Sequence, residues 1–287
     1  MSTEVELAPE ITFLIDFNLH WVPAALGLDV PPAAAAAMFN ITEAEFLAYA
    51  SQVEAEVNRI AASFLTQPDL AQIIDGWSIP AGGKVMAIGD SITTYRYSYA
   101  RLLAAMLAQH RPADKIQFVN VAQSGYTSTH GLENTYSQFL AQQPDWVFVM
   151  FGVNDCKRFG SSPAKTLVSI EEYRANLAGM VEGFVRHTSA RPVLLAPAPV
   201  VEDLVNENPD FAAIRMIWDN ADIGACAAAV HDLAGQHQLP VVDLFDAFGS
   251  SPQPALYLAD GLHPNALGQQ LILKQVLQEV GTTKARD

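Results

Sequence analysis

Ser91, Gly125, Asn154, Asp260 and His263 are the residues whose types and spacing could do chemistry. Ser91 closes the stretch Val85-Met86-Ala87-Ile88-Gly89-Asp90-Ser91, where an apolar run breaks at a glycine and an acid. Helical spacing follows, with Tyr99, Leu102, Leu103, Met106 and Leu107 on one face. A strand, a tight turn and a helix place the hydroxyl at the carboxyl edge of a strand, where open α/β sheets bind ligands. Nearby helix N–H groups favour developing negative charge. Gly125, in Asn120-Val121-Ala122-Gln123-Ser124-Gly125-Tyr126-Thr127, lets backbone approach a ligand closely and aim an N–H at it. Asn154, in Gly152-Val153-Asn154-Asp155, offers an amide donor. In Asp260-Gly261-Leu262-His263-Pro264-Asn265 the acid stands three residues before the histidine. It can turn back to accept from Nδ1–H, leaving Nε2 as a base.

Each residue also has a bland reading. Ser91 caps a helix, Gly125 serves a turn, Asn154 caps the next segment, and His263 is a satisfied surface histidine. Jointly they supply a nucleophile, two donors, a base and its orienter, in order, each at a strand end or at the entry to the last helix. That set is complete for acyl transfer.

The elements that must position them alternate along the chain from Lys84. Apolar runs at 85–88, 116–122, 146–151, 193–196 and 240–244 read as strands. Helical patterns fall at 98–109, 132–142, 170–187, 214–237 and 266–279. Continuous apolar strands between helices predict a parallel sheet covered on both faces. No Rossmann fingerprint or phosphate loop is present, so a nucleotide role has no support.

Composition sets the outer bounds. The 287 residues are 50% hydrophobic and 16% charged, with 31 acids against 16 bases and a formal net charge of −15. That acidity disfavours nucleic acid or an anionic membrane as partner. Residues 1–83 carry 11 acids and one base (Arg59), whereas 84–287 carry 20 acids and 15 bases. The change near Ala81-Gly82-Gly83 divides an acidic helical accessory segment, 1–83, from the catalytic domain, 84–287. Within the first segment, Thr42 and Glu45 have capping-box spacing. Behind them Phe46, Leu47, Ala50, Val53, Val57, Ile60, Ala61, Phe64 and Leu65 form one apolar stripe at helical period. That stripe must dock on the catalytic domain or on a second subunit, so these helices are candidates for a homo-oligomer contact. The stretch 11–21 is apolar and aromatic but ambiguous in period. Two cysteines, Cys156 and Cys226, do not form a disulfide framework in a chain this long. The acidic start does not read as a secretory signal, and no apolar run reaches the ~20 residues of a membrane span. A cytoplasmic protein is expected.

On those blocks the chain resembles the SGNH hydrolases, also called the GDSL esterase/lipase family, over roughly residues 84–280. Gly89-Asp90-Ser91-Ile92 resembles the family's first block, Asn120 through Gly125 the second, Gly152-Val153-Asn154-Asp155 the third and Asp260-Gly261-Leu262-His263 the last. The resemblance implies a three-layer α/β/α sandwich with a parallel flavodoxin-like sheet, to which this chain adds an N-terminal helical segment. It also implies that Ser91 is the nucleophile, His263 the base and Asp260 its partner. The Ser91 N–H, the Gly125 N–H and the Asn154 amide would form the oxyanion hole. After Ile92 many members soon reach a glycine, whereas here Thr94-Tyr95-Arg96-Tyr97 follows, which alters the pocket.

Around this centre, Tyr95, Arg96, His130, Lys157 and Arg158 are candidate substrate-binding residues. Lys157, Arg158 and Lys165 read as a basic cluster, either a solvated face or a site for a substrate carboxylate or the acidic segment. Cys156 is a weaker nucleophile candidate, lacking a positioned partner in sequence. No histidine spacing suggests a metal, and no cofactor is expected. The expected activity is hydrolysis of a small-molecule carboxylic ester, of short-acyl or O-acetyl type. An acyltransferase would use the same residues, and a binding module would keep the fold without turnover.

Overall fold

The computed structural model describes residues 6–18, 30–160 and 165–282. At its centre lie β1 (Lys84–Gly89), β2 (Gln117–Asn120), β3 (Trp146–Met150), β4 (Arg191–Ala196) and β5 (Val241–Asp243). They form one parallel sheet in the order β2-β1-β3-β4-β5. One row of the register runs from Ile88 through Val149 and Leu194 to Val241. The inner positions of β1, β3 and β4 are buried, as expected of strands covered on both faces. Strand order reverses between β1 and β3, which opens a crevice at their carboxyl ends.

Among the described residues, the helices of seven residues or more are, in chain order, α1 (Pro9–Asn18), α2 (Pro32–Met38), α3 (Glu43–Leu65), α4 (Pro68–Gly76), α5 (Tyr99–His110), α6 (Ser128–Asn134), α7 (Ile170–His187), α8 (Asn220–His237) and α9 (Ala266–Thr282). α5 and α9 pack together as one layer, and α6, α7 and α8 pack together as another. The sheet between them completes a three-layer α/β/α sandwich, with a helical N-terminal segment added.

That segment is built into the body of the molecule. Thr42 and Glu45 start α3 with reciprocal bonds: the Glu45 N–H donates to Thr42 Oγ1 at 3.2 Å, and the Thr42 N–H donates to Glu45 Oε2 at 2.8 Å. The α3 stripe of Val53, Val57, Ile60 and Phe64 is buried, and α3 packs along α5. Each such side chain contributes about 1.5–3 kcal/mol on burial. Arg111, at the end of α5, donates to the carbonyls of Trp77 (2.8 Å) and Ile79 (2.7 Å), which ties down the strand entry into β1. One apolar core runs from Ile15 and Val53 through the sheet to Val276.

Two element boundaries differ from the sequence expectation. The helix expected over 132–142 begins earlier, at Ser128, because Thr127 and His130 cap it and the Asp155 carboxylate accepts from the Ser128 N–H at 2.9 Å. It then passes through a π-turn at Thr135–Phe139, where the Thr135 hydroxyl donates back to the Gly131 carbonyl at 2.8 Å. The helix expected from 214 begins at Asn220. The preceding Met216–Ile217 instead pairs antiparallel with Arg158–Phe159, and the Asn206 amide exchanges two 2.9 Å bonds with the Trp218 backbone.

Candidate active site

The loop after β1 turns sharply at Asp90, whose carboxylate accepts from the Ile92 N–H at 3.0 Å and caps the short turn Ser91–Thr94. This cap leaves Ser91 at the first position of the turn, where a backbone N–H has no acceptor within the turn. Burial pushes the Asp90 carboxyl up to about 6, against the opposing pull of the Ile92 N–H and His263. From α9, the buried Gln269 amide donates to the Ile92 carbonyl at 2.9 Å and accepts from the Tyr99 N–H at 2.9 Å. Asn120 at the end of β2 donates to the Thr93 carbonyl at 2.8 Å. The turn carrying Ser91 is thus fixed from two other elements.

Residues far apart in sequence meet there. Ser91 Oγ lies 2.8 Å from His263 Nε2, and His263 Nδ1 lies 2.6 Å from Asp260 Oδ2. The other Asp260 oxygen accepts from the backbone N–H groups of Leu262 (2.9 Å) and His263 (3.0 Å). Burial alone would raise the Asp260 carboxyl, but the His263 bond and charge and these two amides outweigh it and hold it below the usual range. An ionised carboxylate only accepts, so Nδ1 carries the imidazole proton and Nε2 accepts from the serine hydroxyl. Ser91 is 7% exposed and His263 5% exposed, so the relay is shielded without being sealed.

The two donor loops are braced against each other. Gly125 adopts φ +81°, a conformation that a side-chain-bearing residue rarely takes. Gly152 adopts φ +136° at the start of the turn Val153–Cys156, and a Cβ there would lie 2.8 Å from Pro197 Cγ. That turn carries Asn154, which is 7% exposed. Lys157 Nζ donates to Asn154 Oδ1 at 3.2 Å, so the donor end of the amide is turned away from the lysine. The neighbouring Asp155 is fully buried and accepts from the Ser128 hydroxyl at 2.5 Å, and Asn176 of α7 donates to the same hydroxyl at 3.0 Å. The element that follows Gly125 is therefore pinned to the turn that carries Asn154.

The substrate-binding candidates separate. Tyr95 is buried and stacks on Phe17 at 4.7 Å. Arg96 leans over the rings of Phe46 and Tyr49, at 6.0 and 5.9 Å, where the N-terminal helices meet. His130 is occupied as a helix cap, with Nδ1 accepting from the Thr127 N–H and its ring stacked on Tyr126 at 4.7 Å. The basic cluster divides: Lys157 reaches Asn154, Arg158 holds Asp222 through two 2.8 Å bonds, and Lys165 is exposed. Cys156 sits 3.0 Å from Cys226, and that contact and burial push its thiol up, which removes the thiolate that attack would need.

Sequence reasoning missed the bracing residues Gln269 and Asp155, assigned Lys157 to substrate where the structure puts it on Asn154, and above all missed the place of α1. Phe17 lies 4.6 Å from the His263 ring and Phe13 lies 5.8 Å from it, centroid to centroid. The signal available was Phe13 and Phe17 at i, i+4 spacing, which any amphipathic helix also has.

Residues 87–271 match the model of the GDSL-like lipase/acylhydrolase family. The chain belongs to that family. It is accordingly a carboxylic ester hydrolase of the GDSL type. Among its relatives is the isoamyl acetate-hydrolyzing esterase 1 homolog of Homo sapiens, 26% identical over 200 residues, covering 67% of this chain and 79% of that protein. The acetylxylan esterase of Geobacillus stearothermophilus is 25% identical over 228 residues, covering 71% and 96%. Its crystal structure has the same fold, with a TM-score of 0.56. An α/β hydrolase from the metagenome of Lake Arreo, Spain, superposes with a TM-score of 0.56 at 25% identity, covering 72% of this chain and 98% of that one. The family match begins at Ala87, so α1–α4 lie outside it. No helix among the described residues is long and apolar enough to cross a membrane.

Proposed function

We propose that this chain hydrolyses esters of short carboxylic acids, acetyl esters foremost, through an acyl-enzyme on Ser91. The observation that carries this reading is the unbroken chain from Ser91 Oγ through the His263 imidazole to Asp260, at 2.8 and 2.6 Å. The relatives named for isoamyl acetate and acetylxylan support the acetyl preference.

In this mechanism Ser91 Oγ bonds to the ester carbonyl carbon as its proton passes to His263 Nε2. Asp260 stays ionised and stabilises the imidazolium. Negative charge collects on the former carbonyl oxygen. It is met by the N–H groups of Ser91 and Gly125 and by the Asn154 amide, whose orientation Lys157 sets. As the tetrahedral intermediate collapses, the bond to the alcohol oxygen breaks and that oxygen takes the proton from Nε2. Water then gives a proton to the same nitrogen and attacks the acyl carbon, and Ser91 leaves with the proton restored. Lys157, half-buried near Asp90 and Asp155, acts as a positioning residue, and Tyr95 backs the Phe17 ring.

A fluorophosphonate probe tests the reading. The wild type should be labelled at Ser91 and lose esterase activity in step with labelling, and Ser91→Ala should be inert and unlabelled. Labelling at Ser124 or Cys156 instead would overturn it. Product analysis with an added alcohol separates hydrolysis from transfer: free acid as the main product supports the proposal, and a new ester as the main product replaces it with an acyltransferase.

A further inference from the structure

We infer that α1 forms the alcohol side of the substrate site, with Phe13 and Phe17 as specificity-determining residues that select acetates of alkyl or aryl alcohols over acetates of sugars. The inference rests on the acyl-enzyme reading above and adds which half of the substrate these residues meet.

The proton relay assigns the sides. The departing alcohol oxygen takes its proton from His263 Nε2, so it must come within hydrogen-bond reach of that nitrogen. The carbons attached to that oxygen then extend past the imidazole, while the acyl carbon faces Ser91 and the oxyanion donors. The rings beside the imidazole belong to α1. Phe17 is tilted 44° to it at 4.6 Å, and Phe13 stands edge-on at 70° and 5.8 Å. The two phenyl rings are 4.6 Å apart, and Phe17 continues into the stacked ring of Tyr95.

This wall is fixed in place. The Phe17 carbonyl accepts from the Ser124 hydroxyl at 2.7 Å, beside Gly125. The preceding Asp16 accepts from the Tyr49 hydroxyl of α3 at 2.7 Å, and its carbonyl accepts from the Arg96 N–H at 3.1 Å. Phe17 is only 2% exposed, whereas Phe13 is 41% exposed. An anchored ring thus backs an open one, and Leu14 beside it is exposed as well. Two polar groups beside this face are already committed, Ser124 to Phe17 and Asp16 to Tyr49. An alkyl or aryl group placed on this face gains burial. A sugar laid on these two phenyl rings would lose water from its hydroxyls, and the rings offer no hydrogen bonds to replace it, which is costly.

The test uses the full-length protein and a series of acetates that varies only the alcohol: methyl, benzyl and a mono-O-acetylated xylose, which keeps its other hydroxyls free. Wild type should prefer benzyl acetate in kcat/KM. Phe13→Ala should lower the benzyl-to-methyl ratio about tenfold, mainly through KM, as loss of a small apolar contact does. Phe17→Leu, which keeps most of the bulk, should lower it less. The ratio of p-nitrophenyl acetate to p-nitrophenyl butyrate, which varies the acyl side, should hold in both variants. An unchanged benzyl-to-methyl ratio, an equal loss on every acetate, or a wild type that favours the acetylated xylose would overturn the inference. Fluorophosphonate labelling of Ser91 in the same preparations separates the failures. Labelling with a flat ratio defeats the role of α1 alone, and a wild type unlabelled at Ser91 defeats the acyl-enzyme reading with it.

Discussion

The carboxyl edge of the sheet and the N-terminal helices contribute to one site by different kinds of interaction. At the sheet edge Ser91, Asn154, Asp260 and His263 are held by directed bonds, which constrain the residue type at each position. The N-terminal helices carry no such motif. They contribute apolar surface, with α3 closing the core over α5 and α1 setting two phenyl rings against the His263 imidazole. Directed chemistry tolerates few residue types, whereas an apolar wall tolerates many. Substitutions at the edge should therefore strike kcat, and substitutions in the helices should strike selectivity and stability.

The largest effect expected from that contrast is at the relay. His263→Ala should lower kcat by about 10⁴–10⁶ with little change in melting temperature, as for other serine triads. A loss under tenfold would place the base elsewhere. Asn154→Ala should come next, at about 10²–10³ in kcat with KM nearly unchanged, because its amide acts on the oxyanion rather than on bound ester. A change confined to KM would make Asn154 a ground-state contact. Lys157→Met should cost roughly tenfold in kcat, about the worth of one charge-assisted hydrogen bond, by letting the Asn154 amide rotate. Full activity there would remove its positioning role.

The smallest effect belongs to the helices and depends on pH. Burial raises the Asp16 carboxyl from the ordinary 3.8 to about 6, against the Tyr49 hydrogen bond and the Arg96 charge. Between those values the folded state holds a proton that the unfolded chain has lost. Stability from this group therefore falls as pH rises through that window, and the penalty is complete above about 6. Asp16→Asn should raise the stability of the protein by about 1–3 kcal/mol at neutral pH and by almost nothing near pH 4. An equal gain at both pH values would mean that the carboxylate is not what limits the docking of α1.

Much of the edge is legible in the sequence because strand ends and reactive residues coincide there. An apolar run that stops at Gly89-Asp90-Ser91 or at Gly152-Val153-Asn154 marks both the element and its chemistry. The basic residues after β3 misled for a geometric reason. Lys157 and Arg158 are neighbours in extended backbone, where successive side chains point to opposite sides, so one meets Asn154 and the other meets Asp222. The place of α1 was not legible, since Phe13 and Phe17 reach His263 across nearly the whole length of the chain and their spacing fits any buried helix. The aromatic stretch 19–21 that continues the same run lies outside the described residues.

The claim that the edge works through a covalent serine is tested most directly by catching the acyl group in place. The protein is mixed with excess p-nitrophenyl acetate, quenched in acid during turnover and mapped by peptide mass spectrometry. The account predicts one added acetyl group on the peptide that contains Ser91, at Ser91 itself, matched by a burst of p-nitrophenol and lost in Ser91→Ala. Acetyl found on another residue with the same burst, or turnover that persists in Ser91→Ala, would contradict it.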